Sequence, residues 1–177
     1  PYHDYDNEAF AYQAMEKLAG KGRKRIALLP PPNALSFYLH SRNGFERALN
    51  DYGLTEVAMG RVTTETSLGD IRAHAEAMMR SASAPDGIIS LSGSSTIALV
   101  AGIEAAGKVL GRDADLVSKQ SAEFLNWIRP EIFTVNEDVR HAGRELAKAV
   151  IARIDGVAPD LLQSISKPAW SPMGPHG

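Results

Sequence analysis

The 177-residue sequence contains no cysteine, which excludes disulfide bonds, zinc–thiolate sites and iron–sulfur clusters. The same absence agrees with a reducing compartment, and we expect a cytoplasmic location. No apolar run reaches the roughly 18 residues of a membrane-spanning helix, so we expect no contact with a membrane. The formal net charge of −2 does not provide the basic surface that tight nucleic-acid binding requires.

The beginning of the chain lacks two further features. It has no initiator methionine, and residues 1–6 do not have the basic and apolar regions of a signal peptide. We therefore expect the chain to be an internal fragment of a longer protein. Its composition, 44% hydrophobic and 23% charged, is ordinary for a globular protein and is sufficient for one buried domain or two small lobes.

Short apolar runs alternate with helical patterns along the chain. Residues 26–29, 88–91 and 132–135 form runs that are typical of strands buried on both faces. The segments between them repeat apolar residues at helical spacing, with capping residues or glycines at their ends. This order predicts an α/β fold in which helices cover both faces of a parallel sheet. The tail from Pro168 onwards is rich in proline and glycine, and we expect it to be loose.

Ligands of parallel sheets bind beyond the carboxyl ends of the strands. Residues 92–96, S-G-S-S-T, lie between a predicted strand and a predicted helix. Their amides and hydroxyls are suited equally to holding a polar ligand and to capping the helix. The segments predicted to form this edge of the sheet are residues 30–42, 60–67, 91–96, 118–126 and 136–139.

Motifs of catalysis and metal binding are missing from the sequence. There is no glycine-rich phosphate loop, and residues 93–97, G-S-S-T-I, lack the final glycine of a nucleophile elbow. No histidine has a metal-type partner four residues away. The basic run at residues 21–25 is best interpreted as a solvated turn between a helix and a strand. We therefore expect no enzyme activity, catalytic residue, cofactor or metal ion.

Several segments resemble, in the same order, the LacI-type transcription regulators. Residues 41–49, S-R-N-G-F-E-R-A-L, resemble the R-x-x-G-F-x-x-A-L segment of that family. Residues 85–89, P-D-G-I-I, are similar to P-D-A-I-F, and residues 97–99, I-A-L, to M-A-L. Residues 130–135, P-E-I-F-T-V, are similar to P-x-L-T-T-V. The resemblance covers residues 4–167, and the order and spacing of its motifs are more specific than any one of them.

The resemblance implies a fold and an incomplete domain. LacI-type regulators have a helix-turn-helix head followed by a two-lobed sensor that is similar to periplasmic sugar-binding proteins. Residues 1–132 would form mainly the second lobe, residues 133–156 a strand and helix returning to the first lobe, and residues 157–177 the crossing back. The apolar stripe of Leu146, Val150 and Ile154 would then lack its usual neighbours. We expect it to be repositioned, covered by another chain or completed by a missing segment.

The resemblance also assigns a ligand-binding set. Arg42 matches the pocket arginine of the family, whereas Val62 stands where an aromatic residue usually stacks on the ligand. Gln120 replaces the pocket aspartate, and Glu137 replaces a glutamine. These changes imply a ligand different from those of the best-known family members. The complete set is Ser36, Phe37, Tyr38, Arg42, Val62, Ser94, Ser95, Gln120 and Glu137.

The function predicted in this way is the effector-binding module of a DNA-binding repressor or activator. A small polar effector, expected to be a sugar, would bind between two lobes and control their closure. We expect a homodimer, with operator DNA contacted only through a head that is absent from this chain. The alternative is a solute-binding protein of a sugar transporter, which would share the fold. A small α/β enzyme has the least support.

Overall fold

The computed structural model of the protein describes residues 1–174. Its strands are β1 (Tyr2–Tyr5), β2 (Arg25–Leu29), β3 (Thr55–Glu56), β4 (Gly87–Ser90), β5 (Asp115–Gln120), β6 (Phe133–Asn136), β7 (Gln163–Ser166) and β8 (Ala169–Trp170). Its helices are α1 (Asn7–Gly20), α2 (Ser36–Tyr52), α3 (Leu68–Arg80), α4 (Gly93–Ala105), α5 (Phe124–Ile128) and α6 (Val139–Ile154), with a 3₁₀ turn at Pro159–Leu161. No helix within this range is both long and apolar enough to cross a membrane.

Six of the strands form one sheet in the order β3-β2-β4-β5-β6-β8. The first five run parallel, and β8 is antiparallel to β6 at the edge. Every residue of β4 and β5 is buried, as expected for strands covered on both faces. The predicted α/β class is therefore confirmed.

The two faces of this sheet carry separate halves of the core. Ile89 lies in the cluster that includes Phe10 of α1 and Phe45 of α2. Ile88, its neighbour in β4, lies in the cluster on the opposite face, which includes Leu99 of α4. Successive side chains of a strand point to opposite faces, so one strand contributes to both clusters. We call the sheet and helices α1–α5 the large unit.

Two glycines allow the helices of the large unit to approach closely. A Cβ atom on Gly44 of α2 would lie 2.1 Å from the carbonyl oxygen of Glu8 in α1. A Cβ atom on Gly102 of α4 would lie 2.5 Å from the carbonyl oxygen of Arg72 in α3. Because no side chain fits at either position, α1 packs on α2, and α3 on α4, with backbone next to backbone.

The remaining elements form a second, smaller body. Strands β1 and β7 pair in parallel as a separate two-stranded sheet, and α6 packs against β1. No residue of α6 is buried. Its Leu146, Val150 and Ile154 are 44%, 56% and 78% exposed. We call β1, α6, the 3₁₀ turn and β7 the small unit.

Three expectations about the chain's organisation differ from the structure. Residues 133–136, which the resemblance grouped with the helix that follows, pair with β5 in the large sheet. Ser36, Phe37 and Tyr38, expected in a loop, form the first turn of α2, which begins without a side-chain cap and so gave no start signal.

The third difference concerns the tail. Residues 169–170 are ordered as β8, and the ring of Trp170 stacks on that of Phe10 with centroids 6.3 Å apart. The favourable free energy of burying a large aromatic ring outweighs the tendency of the neighbouring proline and glycine residues to form irregular structure. The prediction of a loose tail from Pro168 is therefore wrong for these two residues. Residues 175–177, which the prediction also covered, lie outside the described part of the chain.

Candidate ligand-binding site

The carboxyl ends of β4, β5 and β6 open on a polar cleft with a volume of about 360 Å³. Phe124 contributes an aromatic ring to its wall. The cleft lies at the edge of the sheet where ligands of parallel sheets bind. We call it the serine cleft, and its polar lining residues are Ser92, Ser94, Lys119, Gln120, Ser121 and Glu137.

The serines that follow β4 have different roles, which include capping α4 and lining the serine cleft. The Ser92 hydroxyl caps α4 by accepting a hydrogen bond from the Ser95 amide. The Ser94 hydroxyl lies 3.1 Å from that of Ser92 and lines the cleft. The Ser95 hydroxyl is buried and donates to the carbonyl oxygen of Thr64 at 3.0 Å. Of the predicted pair, Ser94 is therefore available to a ligand, whereas Ser95 has a structural partner.

Lys119 is a buried cation at the end of β5, with only 5% of its surface exposed. Its Nζ donates to Asn7 Oδ1 and to Glu137 Oε1, and it lies 5.2 Å from the centre of the Phe10 ring. The Glu137 carboxylate compensates the buried charge. Burial raises the pKa of the nearby Tyr5 hydroxyl, and the charge of Glu137 raises it further.

Lys119 and its partner Asn7 were not among the residues predicted for the site. The available signal was a lysine inside an otherwise buried strand, because lysine is almost never fully buried without a partner. The sequence gives no indication of which residue would be that partner, since Asn7 is 112 positions away in the chain.

Gln120 borders the serine cleft, but its polar atoms have protein partners. Its Nε2 donates to Asn126 Oδ1 at 2.6 Å and Asn136 Oδ1 at 2.8 Å, with Thr134 Oγ1 at 3.2 Å. Its Oε1 accepts from the Leu125 amide at 3.1 Å. The side chain is 2% exposed, and its two amide hydrogens already have acceptors. Gln120 therefore positions the segment that begins α5.

Arg42 lies apart from the serine cleft, on the outside of α2. Its guanidinium donates to both carboxylate oxygens of Glu56, at 2.7 and 3.1 Å, and to Glu46 at 2.7 Å. The hydrogen bond to Glu56 raises the pKa of Arg42 further above its ordinary value, against the opposite effect of burial. In the motif R-x-x-G the arginine precedes the glycine by three residues, a position that Ser41 occupies here. One residue turns a helix by about 100°, which places Arg42 on another face.

The other predicted residues are dispersed. Ser36 lines a second cleft of about 540 Å³ together with Asp6, Asn7 and His40, which we call the β1 cleft. Val62 packs against the core cluster on the face of the sheet that α3 and α4 cover. The hydrogen bond between Lys119 and Asn7 joins the linings of the two clefts, since Lys119 lines the serine cleft and Asn7 lines the β1 cleft.

Phe37 and Tyr38 belong to α2, and neither is among the residues that line the two clefts. The structure thus brings together Ser94, Gln120 and Glu137 of the predicted set. Within residues 1–174, no group of three or more histidine, aspartate and glutamate side chains is arranged to hold a metal ion.

Known proteins are similar to this chain in sequence and in fold. The sequence matches the periplasmic binding protein-like domain over residues 15–168. The HTH-type transcriptional regulator AglR of Rhizobium meliloti (strain 1021) is 30% identical over 160 residues, which are 87% of this chain and 44% of AglR. The chain spans about half the length of the curated relatives it matches.

Solved structures agree in fold. A regulatory protein of the LacI family from Chloroflexus aggregans has a TM-score of 0.86 at 22% identity, over 99% of this chain and 63% of that one. A LacI-family regulator from Arthrobacter sp. FB24 in complex with lactose has a TM-score of 0.80 at 17% identity, over 96% of this chain and 64% of that one. The resemblance to LacI-type regulators is confirmed, and the chain belongs to the periplasmic binding protein-like domain family.

Proposed function

We propose that this chain is part of the effector-binding domain of a transcription regulator, and that a sugar or related polyol binds in the serine cleft. The observation that carries the proposal is the serine cleft itself, a polar recess at the carboxyl edge of the sheet. The sequence relatives are regulators, which favours this function over that of a transporter's solute-binding protein.

The lining of the serine cleft is suited to a sugar. Hydroxyls of a sugar both donate and accept hydrogen bonds, as do those of Ser92 and Ser94. The Glu137 carboxylate accepts only, and it can fix a pair of neighbouring ligand hydroxyls. The ring of Phe124 offers an apolar surface to the C–H face of a sugar ring. The lactose bound to a relative of the same fold supports this ligand class.

The position of Glu137 would couple ligand binding to the arrangement of the two units. It is the first residue after β6 and precedes α6, so a ligand held by Glu137 touches the chain where it passes from the large unit to the small unit. Ligand binding that favours one angle between the units needs a coupling free energy of about 1–3 kcal/mol. We further propose that the parent protein is a cytoplasmic homodimeric repressor, without enzyme activity, and that DNA is bound outside this chain.

A thermal-shift screen tests the ligand class and the site. The panel contains neutral mono- and disaccharides including lactose, sugar alcohols and sugar acids. A ligand at 100 times its Kd stabilises the native state by about 2.7 kcal/mol, and each kcal/mol raises Tm by roughly 2–4 °C in a domain of this size. We expect at least one neutral sugar to raise Tm.

The variants Ser94→Ala and Glu137→Gln are expected to weaken binding of that sugar about tenfold each, the cost of one lost hydrogen bond to a polar ligand. Arg42→Ala is the matched control and should keep the full shift. Loss of the shift in Arg42→Ala alone would place the site elsewhere. A panel in which no polyol raises Tm would refute the sugar class.

A further inference from the structure

Three short links join the small unit to the large unit. They are residue 6 between β1 and α1, residues 137–138 between β6 and α6, and residues 167–168 between β7 and β8. Each link carries a charged side chain that takes part in an ion pair: Asp6, Glu137 and Lys167. Charge is therefore concentrated where the chain passes between the units.

Lys119 contacts the second link and the start of α1. Its Nζ donates to Glu137 in the second link and to Asn7, the first residue of α1, which directly follows Asp6 of the first link. Lys119 itself belongs to β5, a fully buried strand inside the large sheet. Because the cation is buried, removing it would leave the Glu137 carboxylate without its partner, and such losses are costly. The contact thus anchors the second link, and the start of α1 beside the first link, to a fully buried strand of the large sheet.

Lys167 connects the third link to the first. Its Nζ lies 2.6 Å from Asp6 Oδ2, while Asp6 Oδ1 accepts from the Ala9 amide at 2.9 Å. This lysine is exposed, so the pair contributes less than that of Lys119. Lys167 thus ties the third link to the first, and Lys119 holds the second link beside the residue that follows the first link.

Apolar packing does little to hold the small unit in place. None of the residues of α6 is buried, and an isolated two-stranded sheet is marginally stable in water. We therefore infer that the polar contacts at the links contribute to the attachment between the units.

We propose that Lys119 is a positioning residue that latches the small unit to the large unit, and that an occupant of the serine cleft acts on this latch. Lys119 and Glu137 both line the serine cleft, so a ligand there meets the pair directly. The latch itself stands on the contacts described above, whereas its response to a ligand rests on the proposed function.

Hydrogen–deuterium exchange of the ligand-free chain tests the latch. In Lys119→Met we expect amides of β1 and β7 to exchange at least tenfold faster, while amides of β4 keep their rate. The control is Lys148→Met, which breaks the exposed pair between Lys148 Nζ and Glu145 Oε1, 2.7 Å apart, within the small unit. This control should leave all three strands unchanged.

Two results would overturn the latch. One is that the amides of β1, β7 and β4 exchange faster to the same extent in both Lys119→Met and Glu137→Gln. The ion pair of these two residues would then stabilise the whole fold. The other is unprotected exchange of β1 and β7 in the unmodified chain, since nothing would then hold the small unit.

Repeating the exchange measurement with the panel sugar of largest thermal shift tests the coupling. We expect β1 and β7 to change their exchange rate at least threefold on binding, and Lys119→Met to remove this response. A sugar that raises Tm but leaves β1 and β7 unchanged would refute the coupling and leave the proposed function intact. If no sugar binds, the proposed function and the coupling fail, whereas the ligand-free latch result still stands.

Discussion

The large and small units show two ways of holding secondary structure together. In the large unit, Ile88 and Ile89 are completely buried between helices on both faces of the sheet. In the small unit, Leu146 and Ile154 of α6 remain exposed. Burial of apolar area, at about 25 cal/mol per Å², therefore stabilises the large unit far more than the small one. The polar cleft lies where these two kinds of structure meet.

The largest expected difference in stability between the units comes from replacing one isoleucine by alanine in each of them. Ile89→Ala removes a fully buried side chain and should lower the free energy of unfolding by about 2–5 kcal/mol. Ile154→Ala removes an exposed side chain and should change it by less than about 0.5 kcal/mol. Urea unfolding of both variants measures this. Comparable losses would show that the stripe of α6 is covered in solution, and the contrast between the units would fail.

Two helical glycines should respond to alanine with opposite signs. Gly102→Ala forces a Cβ atom against the backbone of α3 and should destabilise the chain by about 1–3 kcal/mol. Gly143 in α6 has open space around it, so Gly143→Ala should stabilise that helix by about 0.5–1 kcal/mol. Thermal unfolding followed by circular dichroism gives both values. A stabilising Gly102→Ala would contradict the backbone-to-backbone packing of α3 and α4.

The smallest expected effect is the pH dependence of stability that comes from Asp6. Burial raises the pKa of Asp6, but hydrogen bonds from Lys167 and from the Ala9 amide outweigh it, with the charge of His40 adding to them. The net pKa lies below the ordinary 3.8. The stabilisation by charged Asp6 is therefore present above pH 3.8 and is lost as the pH falls through the folded-state pKa.

The free energy of unfolding, measured with urea from pH 6 to pH 3, should thus fall more steeply in the unmodified chain than in Asp6→Asn, with a difference of about 1 kcal/mol or less. Asparagine is as good an N-cap as aspartate, so the difference isolates the charge. Identical slopes in the two proteins would show that Asp6 does not contribute to attachment of the small unit.

The sequence predicts the large unit well because its signals are local. Apolar runs identified the central strands, and the capping residues at the ends of the helical patterns include Asp6 and Ser67, which are the N-caps of α1 and α3. The edge of the sheet that carries the serine cleft followed from the alternation of strands and helices.

The missed features depend on pairing between distant parts of the chain. Strand β1 forms only because residues 163–166 lie beside it, and the two residues of β8 are too few to give a pattern. Arg42 was assigned from a motif whose spacing differs by one residue, which corresponds to another face of the helix. Lys119 finds its partners through the tertiary fold, which no local pattern encodes.

The tryptophan of the ordered tail is a fluorescent reporter of the link at residues 167–168, which precedes β8. Trp170, three residues after Lys167, donates from Nε1 to Gln13 Oε1 at 2.8 Å, and its ring centre lies 4.5 Å from Lys17 Nζ. The other tryptophan, Trp127, is 73% exposed. In a Trp127→Phe background, fluorescence would come from Trp170 alone. A shift of its emission to longer wavelength would then signal release of β8 from the large unit, in real time and without a label.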